Sequence, residues 1–157
     1  MVVASHLGAL FLYGLTGLVL LGSLAGSRPA APRWAAAVAG AAVAVHGWAL
    51  VAYARAFGEL PLVGLAPSLS SLGFLIGVFL VVVVWFRDSR PLGLVLAPLV
   101  FGLLGAALLL GVRPAGEALA FRGFWFALHV VLAFAGYAGL AVAFAAGLAY
   151  LVQFRAL

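Results

Sequence analysis

The chain has 157 residues, 68% of them apolar and 7% charged, with a formal net charge of +5. Soluble domains carry about 25% charged residues, so this composition excludes an ordinary water-soluble domain, and the positive charge is a topology signal rather than a nucleic-acid-binding one. With no cysteine in the chain, disulfides, thiol redox chemistry and thiolate metal sites are excluded as well.

Five apolar runs follow one another. The first covers 2–25 and ends at a turn holding Ser27, Arg28, Pro29, Pro32 and Arg33. It is long enough to span and has no basic segment before it, which argues against a cleaved signal peptide. The second covers 34–56 and is rich in Ala and Val. The third, 67–86, opens on Pro67 and Ser68, which look like a helix start. The fourth, 92–112, contains Pro98, which should kink it. The fifth, 123–154, exceeds the ~20 residues that cross a ~30 Å hydrocarbon core, so it must tilt or project. The runs are solidly apolar and lack the alternation of a barrel strand. The expected fold is all-α: one transmembrane domain over 1–157, built as a polytopic bundle of five spans.

All eight basic residues are arginines. Arg28, Arg33, Arg87, Arg90 and Arg155 fall on one side of the membrane; Arg55, Arg113 and Arg122 fall on the other. That bias places the N-terminus outside and the C-terminus in the cytoplasm, in a multi-pass protein of the cytoplasmic (inner) membrane. The three histidines then lie in the outer half. His6 is at the outer end of the first span, His46 about three turns into the second, and His129 about two turns into the fifth. These depths differ by less than ~10 Å, so the three could share one site if those spans pack together. Ala133, Gly136, Ala143 and Gly147 share the His129 face, and small residues let helices approach closely in lipid. His129 is therefore expected to point into the bundle.

An ionisable side chain inside an apolar span is a functional candidate by default. His129 is such a group in the fifth run, and His46 in the second. His6 is the weakest of the three, because solvation is easy near a chain end. An imidazole in a membrane needs a partner for its N–H and its lone pair. Haem iron takes imidazole as an axial ligand, and its macrocycle suits an apolar slot. Arg122 precedes His129 by seven residues, two turns nearer water on the same face, which suits a propionate anchor. Arg113, Arg55, Trp125 and Trp48 gather at the same boundary, although interface anchoring alone explains residues of these types. His129 and His46 are thus the candidate haem-iron ligands and Arg122 a candidate cofactor contact. Equally, each histidine could simply bridge two helices. No span contains a carboxylate, so a proton-relay pump lacks its acids. Motifs for a serine hydrolase or a phosphate loop are absent, and no enzyme activity is expected.

Several stretches resemble the cytochrome c assembly membrane proteins, the CcsA/ResC family with its HemX-like branch. They are LPLVGLAPSLSSLGF at 60–74, LAPLVFGLL at 96–104, and LHVVLAFAGYAGLAVAFAAGLAYL at 128–151, where His129 is followed by Tyr137 and Ala138. VHGWAL at 45–50 resembles a histidine-containing second span of the HemX-like branch. The resemblance implies haem handling during cytochrome c biogenesis. The histidine matching His129 would be an outward-facing axial ligand for haem passed to apocytochrome c. His46 would match an intramembrane histidine of some relatives, and Pro98 and Tyr137 would be structural positions. Implied partners are haem, other cytochrome c assembly proteins, apocytochrome c and the lipid bilayer; no nucleic acid is expected. The chain departs from that family in having fewer spans, in lacking its tryptophan-rich outer segment and second outer histidine, and in placing Pro67 where many relatives have Glu. The rival readings are a transporter or permease-like subunit, and a structural subunit with helix-bridging histidines.

Overall fold

The computed structural model describes residues 1–23, 33–85, 90–114 and 123–155. Five helices fall on the five apolar runs: α1 (Val2–Gly22), α2 (Arg33–Phe57), α3 (Leu65–Trp85), α4 (Arg90–Leu110) and α5 (Phe124–Arg155). All five are long and apolar enough to cross a membrane. No strand occurs among the described residues. Helices are the physical outcome here because lipid offers no partner for backbone N–H and C=O groups, and a helix satisfies them within one segment.

The first four helices form a closed ring, with α1 against α2, α2 against α3, α3 against α4 and α4 against α1. Their shared interior holds Tyr13, Leu20, Ile76, Leu80, Leu96, Val100 and Leu104. A smaller cluster of Tyr53, Ala107 and Val112, with Val2 and Leu69 packed on it, closes one end. That end gathers the start of α1, the end of α2, the start of α3 and the end of α4, as an up-and-down order requires. α4 continues through Pro98 without a break.

Several glycines are required by geometry, Gly58 and Gly77 among them. Gly58 has φ 69° just past the end of α2, a left-handed conformation that side chains with a Cβ resist. Gly77 lies in the middle of α3 against the Tyr13 hydroxyl, and a methyl group there would collide with it. The α2–α3 connection is tied down by side chains. Ser71 Oγ donates to the Pro61 carbonyl at 2.6 Å, Ser68 Oγ to the Leu62 carbonyl at 3.1 Å, and the Tyr53 hydroxyl to Glu59 Oε1 at 3.1 Å.

α5 stands apart from the ring. It packs along α3 and α4, and among the described residues it does not pack on α1 or α2. Its fully buried positions are Ala138 and Ala145, two turns apart on one face. At 32 residues it is about 48 Å long, more than the ~30 Å hydrocarbon core.

Candidate functional site

His6, Ser70, His46 and Tyr13 form one hydrogen-bonded chain across α1, α2 and α3, and all four side chains are fully buried. His6 lies one turn inside α1, and its Nδ1 is 2.7 Å from the Val2 carbonyl oxygen. A carbonyl only accepts, so His6 Nδ1 carries the hydrogen. With both rings neutral, every remaining proton follows. His6 Nε2 is an acceptor, and Ser70 Oγ–H donates to it at 3.0 Å. Ser70 Oγ accepts from His46 Nε2–H at 3.1 Å. His46 Nδ1 then accepts from the Tyr13 hydroxyl at 3.3 Å. The chain therefore has a single polarity, Tyr13 to His46 to Ser70 to His6 to Val2, fixed at its Val2 end by a group that cannot reverse. These hydrogens are assigned from the network.

The His46 ring is enclosed on three sides by rings that meet it edge-on, with centroids at 5.9 Å for His6, 5.7 Å for Tyr13 and 5.6 Å for Phe74. Gly73 faces Leu103 of α4 and the His46 ring, and a methyl there would make only ordinary contacts, 3.6 Å from Leu103 and 3.9 Å from His46 Cε1. Among the described residues, no buried side-chain nitrogen or oxygen lacks a partner. Bonds of this kind between helices in lipid contribute roughly 0.6–2 kcal/mol each. Leaving one unmade in the interior costs more than making it gains.

His129 is placed differently from the expectation. Its side chain is exposed, not directed into the bundle. At ~100° per residue it lies about 180° around α5 from Ala138, on the side away from α3 and α4. Gly136, Ala143 and Gly147 share that open face: all three are exposed, and a methyl on Gly136 or Gly147 would touch nothing within 4 Å. These small residues do share one face of α5, but the buried stripe, Ala138 and Ala145, is on the opposite one. Because α5 does not pack on α1 or α2, the site shared by all three histidines does not form. His6 and His46 come together; His129 joins neither. Among the described residues the His129 imidazole has no hydrogen-bond partner.

The other candidates divide in the same way. Arg122 lies outside the described residues. Arg113 is exposed. Arg55 is exposed and lies over the Trp48 ring at 5.5 Å, a cation–π contact that accounts for both residues. Among the described residues no three histidines or acids converge on a point. His46 does not suit haem iron in this arrangement: its lone pair takes the Tyr13 hydrogen, its N–H is given to Ser70, and three rings fill the space a macrocycle would need. His129, with its imidazole unengaged and open, does suit an external ligand. A cavity of about 320 Å³ between α2, α3 and α5 is lined by Leu50, Leu60, Phe74, Val131 and Phe134. It is apolar, and it lies on the side of α5 opposite His129.

Ser70 and Tyr13 were not singled out by the sequence. The available signal was spacing. Tyr13 follows His6 by seven residues, which is two turns on one face, and Ser70 belongs to the serine cluster that opens α3. No family model matches the chain, and neither a curated protein nor a solved structure matches it.

Proposed function

We propose that the protein binds and presents haem at the outer side of the cytoplasmic membrane, as the cytochrome c assembly proteins it resembles do, with His129 as the iron ligand. The observation that carries this reading is the open imidazole of His129. A polar ring on an apolar helix, facing away from its own bundle and unbonded among the described residues, is an unexplained group in lipid. Haem would supply an iron atom that accepts one imidazole and a flat macrocycle that suits an apolar helix face. The chain's part would be to hold the iron through His129 and to carry the ring against α5, whose Trp125 and Phe124 are exposed near the same end. Arg122 would be the propionate contact, and with the N-outside orientation expected from the arginine bias this end of α5 would face outward. The protein would handle haem without changing it.

For His6 and His46 the helix-bridging reading is favoured by the same logic. Their nitrogens are engaged within the chain, and iron ligation by His46 would require Tyr13 to give up its hydrogen bond.

The test is an absorption spectrum of the protein purified from a haem-replete host, followed by hemin titration. A Soret band that is lost in His129→Ala and kept in His46→Asn supports the reading. A wild type that shows no Soret band and takes up no hemin refutes it. A topology reporter at the C-terminus should signal from the cytoplasm.

A further inference from the structure

We propose that the open face of α5 is a homodimer interface, in which the His129 side chains of two copies face each other across a two-fold axis. The shape of the face carries this. At ~100° per residue, His129, Gly136, Ala143 and Gly147 fall within about 40° of one another, and all four are exposed. One flank of this line is large: Leu140, Phe144 and Leu151 are 67%, 64% and 57% exposed. The other flank is small: Ala135, Gly139 and Ala146 are exposed too. A methyl built on Gly136, Gly139 or Gly147 would meet nothing within 4 Å.

Copies of one sequence insert the same way, so two of them pair in parallel, with the two-fold axis along the membrane normal. Such an axis sets the left flank of one helix against the right flank of the other. The ridge of Leu140, Phe144 and Leu151 in each copy therefore lies on the small flank of its partner, ridge into groove. Two complementary halves on one face are what a self-pairing contact requires. Small residues add close backbone contact, which favours helix pairing in lipid. Together with Leu132 and Tyr150, 61% and 65% exposed on the same face, these residues offer on the order of 800 Å² per copy, the share one partner gives to a stable interface of standard size.

The second copy also supplies what His129 lacks. Both nitrogens of His6 and of His46 are bonded within the chain, so neither can serve His129. The partner's His129 stands opposite it on the axis. Without a ligand the two rings share a hydrogen bond, one donating N–H and the other accepting, and the polar group is met in lipid by a neighbouring helix. Haem iron has two axial positions. On the haem reading proposed above, on which this step rests, two chains hold one haem, with one imidazole from each copy on either side of the iron. His129 is two turns beyond Gly136, past the closest contacts, where helices that cross near Ala143 have room to splay around a flat ring.

The experiment uses the full chain in membrane vesicles and in nanodiscs. The chain has no cysteine, so single cysteines each report one position. Ala143→Cys, on the axis, should give a disulfide-linked dimer under mild oxidation. Leu18→Cys, exposed on α1 and on a helix that α5 does not touch among the described residues, should not. The Gly136→Leu/Gly147→Leu double variant fills the groove without meeting the bundle, and it should be a folded monomer by circular dichroism and light scattering. Wild type should take up one hemin per two chains with a six-coordinate, low-spin spectrum, and the double variant should shift to a five-coordinate one. A monomeric wild type overturns the proposal, as does crosslinking through Leu18→Cys as readily as through Ala143→Cys. One hemin per chain, with the same spectrum in the double variant, overturns the shared ligation and leaves the haem reading of His129 intact. A dimer that crosslinks through Ala143→Cys and binds no hemin supports the interface and refutes the haem reading alone.

Discussion

His46 and His129 carry the same side chain in similar sequence, an imidazole two to three turns inside an apolar helix, and the fold treats them in opposite ways. His46 lies in α2, inside the four-helix ring, with both nitrogens bonded and three rings around it. His129 lies on α5, outside the ring, exposed and unbonded among the described residues. The cost of a polar group in lipid is met inside the protein in one case and is not met by the described residues in the other. A histidine whose nitrogens are all used is part of the framework, whereas one with an unengaged imidazole leaves that demand open, and the haem reading proposed above rests on it. Changes at His46 should therefore act on stability, and changes at His129 on binding.

The largest effect should come from His46→Ala. It removes a buried ring, opens a cavity among His6, Tyr13 and Phe74, and strands the Ser70 and Tyr13 hydroxyls. Large-to-small changes of this size cost about 3–5 kcal/mol. Unfolding in mixed micelles with increasing SDS should register the loss. A change below about 0.5 kcal/mol, the range of an ordinary surface substitution, would break the comparison from the buried side.

Gly77→Ala tests the same framework without touching a histidine. The added methyl collides with the Tyr13 hydroxyl, so Tyr13 or α3 must shift and the bond to His46 is lost. Overpacking of this kind costs about 1–3 kcal/mol. Double-mutant analysis with Tyr13→Phe sharpens the point, because removing the hydroxyl should relieve part of the cost. Ser70→Ala comes next. It leaves the His6 lone pair and the His46 N–H unpaired in the interior, at about 1–2 kcal/mol, and the same unfolding titration reads it.

The five helices were legible because the bilayer sets their length and forbids unpaired backbone, so an apolar run of sufficient length has few alternatives. The packing order was not legible, for a related reason. In lipid every face of a helix is apolar, and the stripe that marks an inward face in a soluble protein is missing. On α5 the face with Gly136, Ala143 and Gly147 and the face with Ala138 and Ala145 both carry small residues. Either was a candidate for burial, and the one without the histidine is buried. His6 was the weakest histidine in the sequence because it sits near the chain end. In the fold, Leu69, Tyr53 and Val112 crowd that end, and His6 becomes the fixed terminus of the hydrogen-bonded chain. What was readable was its spacing: Tyr13 two turns on, one helix face presenting two polar tips to a partner.

The smallest stability effect should be at His129, and it is the sharpest test of the comparison. His129→Ala removes a side chain that has no described hydrogen-bond partner and faces away from α3 and α4, so unfolding should move by no more than about 0.5 kcal/mol. Haem binding, on the reading proposed above, should disappear in the same variant. Loss of both together would mean that His129 supports the fold in a way its exposed position does not reveal. Unchanged stability with lost binding would place the two histidines in separate roles within one bundle. His129→Leu separates polarity from bulk: it fills the same surface with an apolar side chain that lipid accepts, so it should match the wild type in stability while still failing to bind haem.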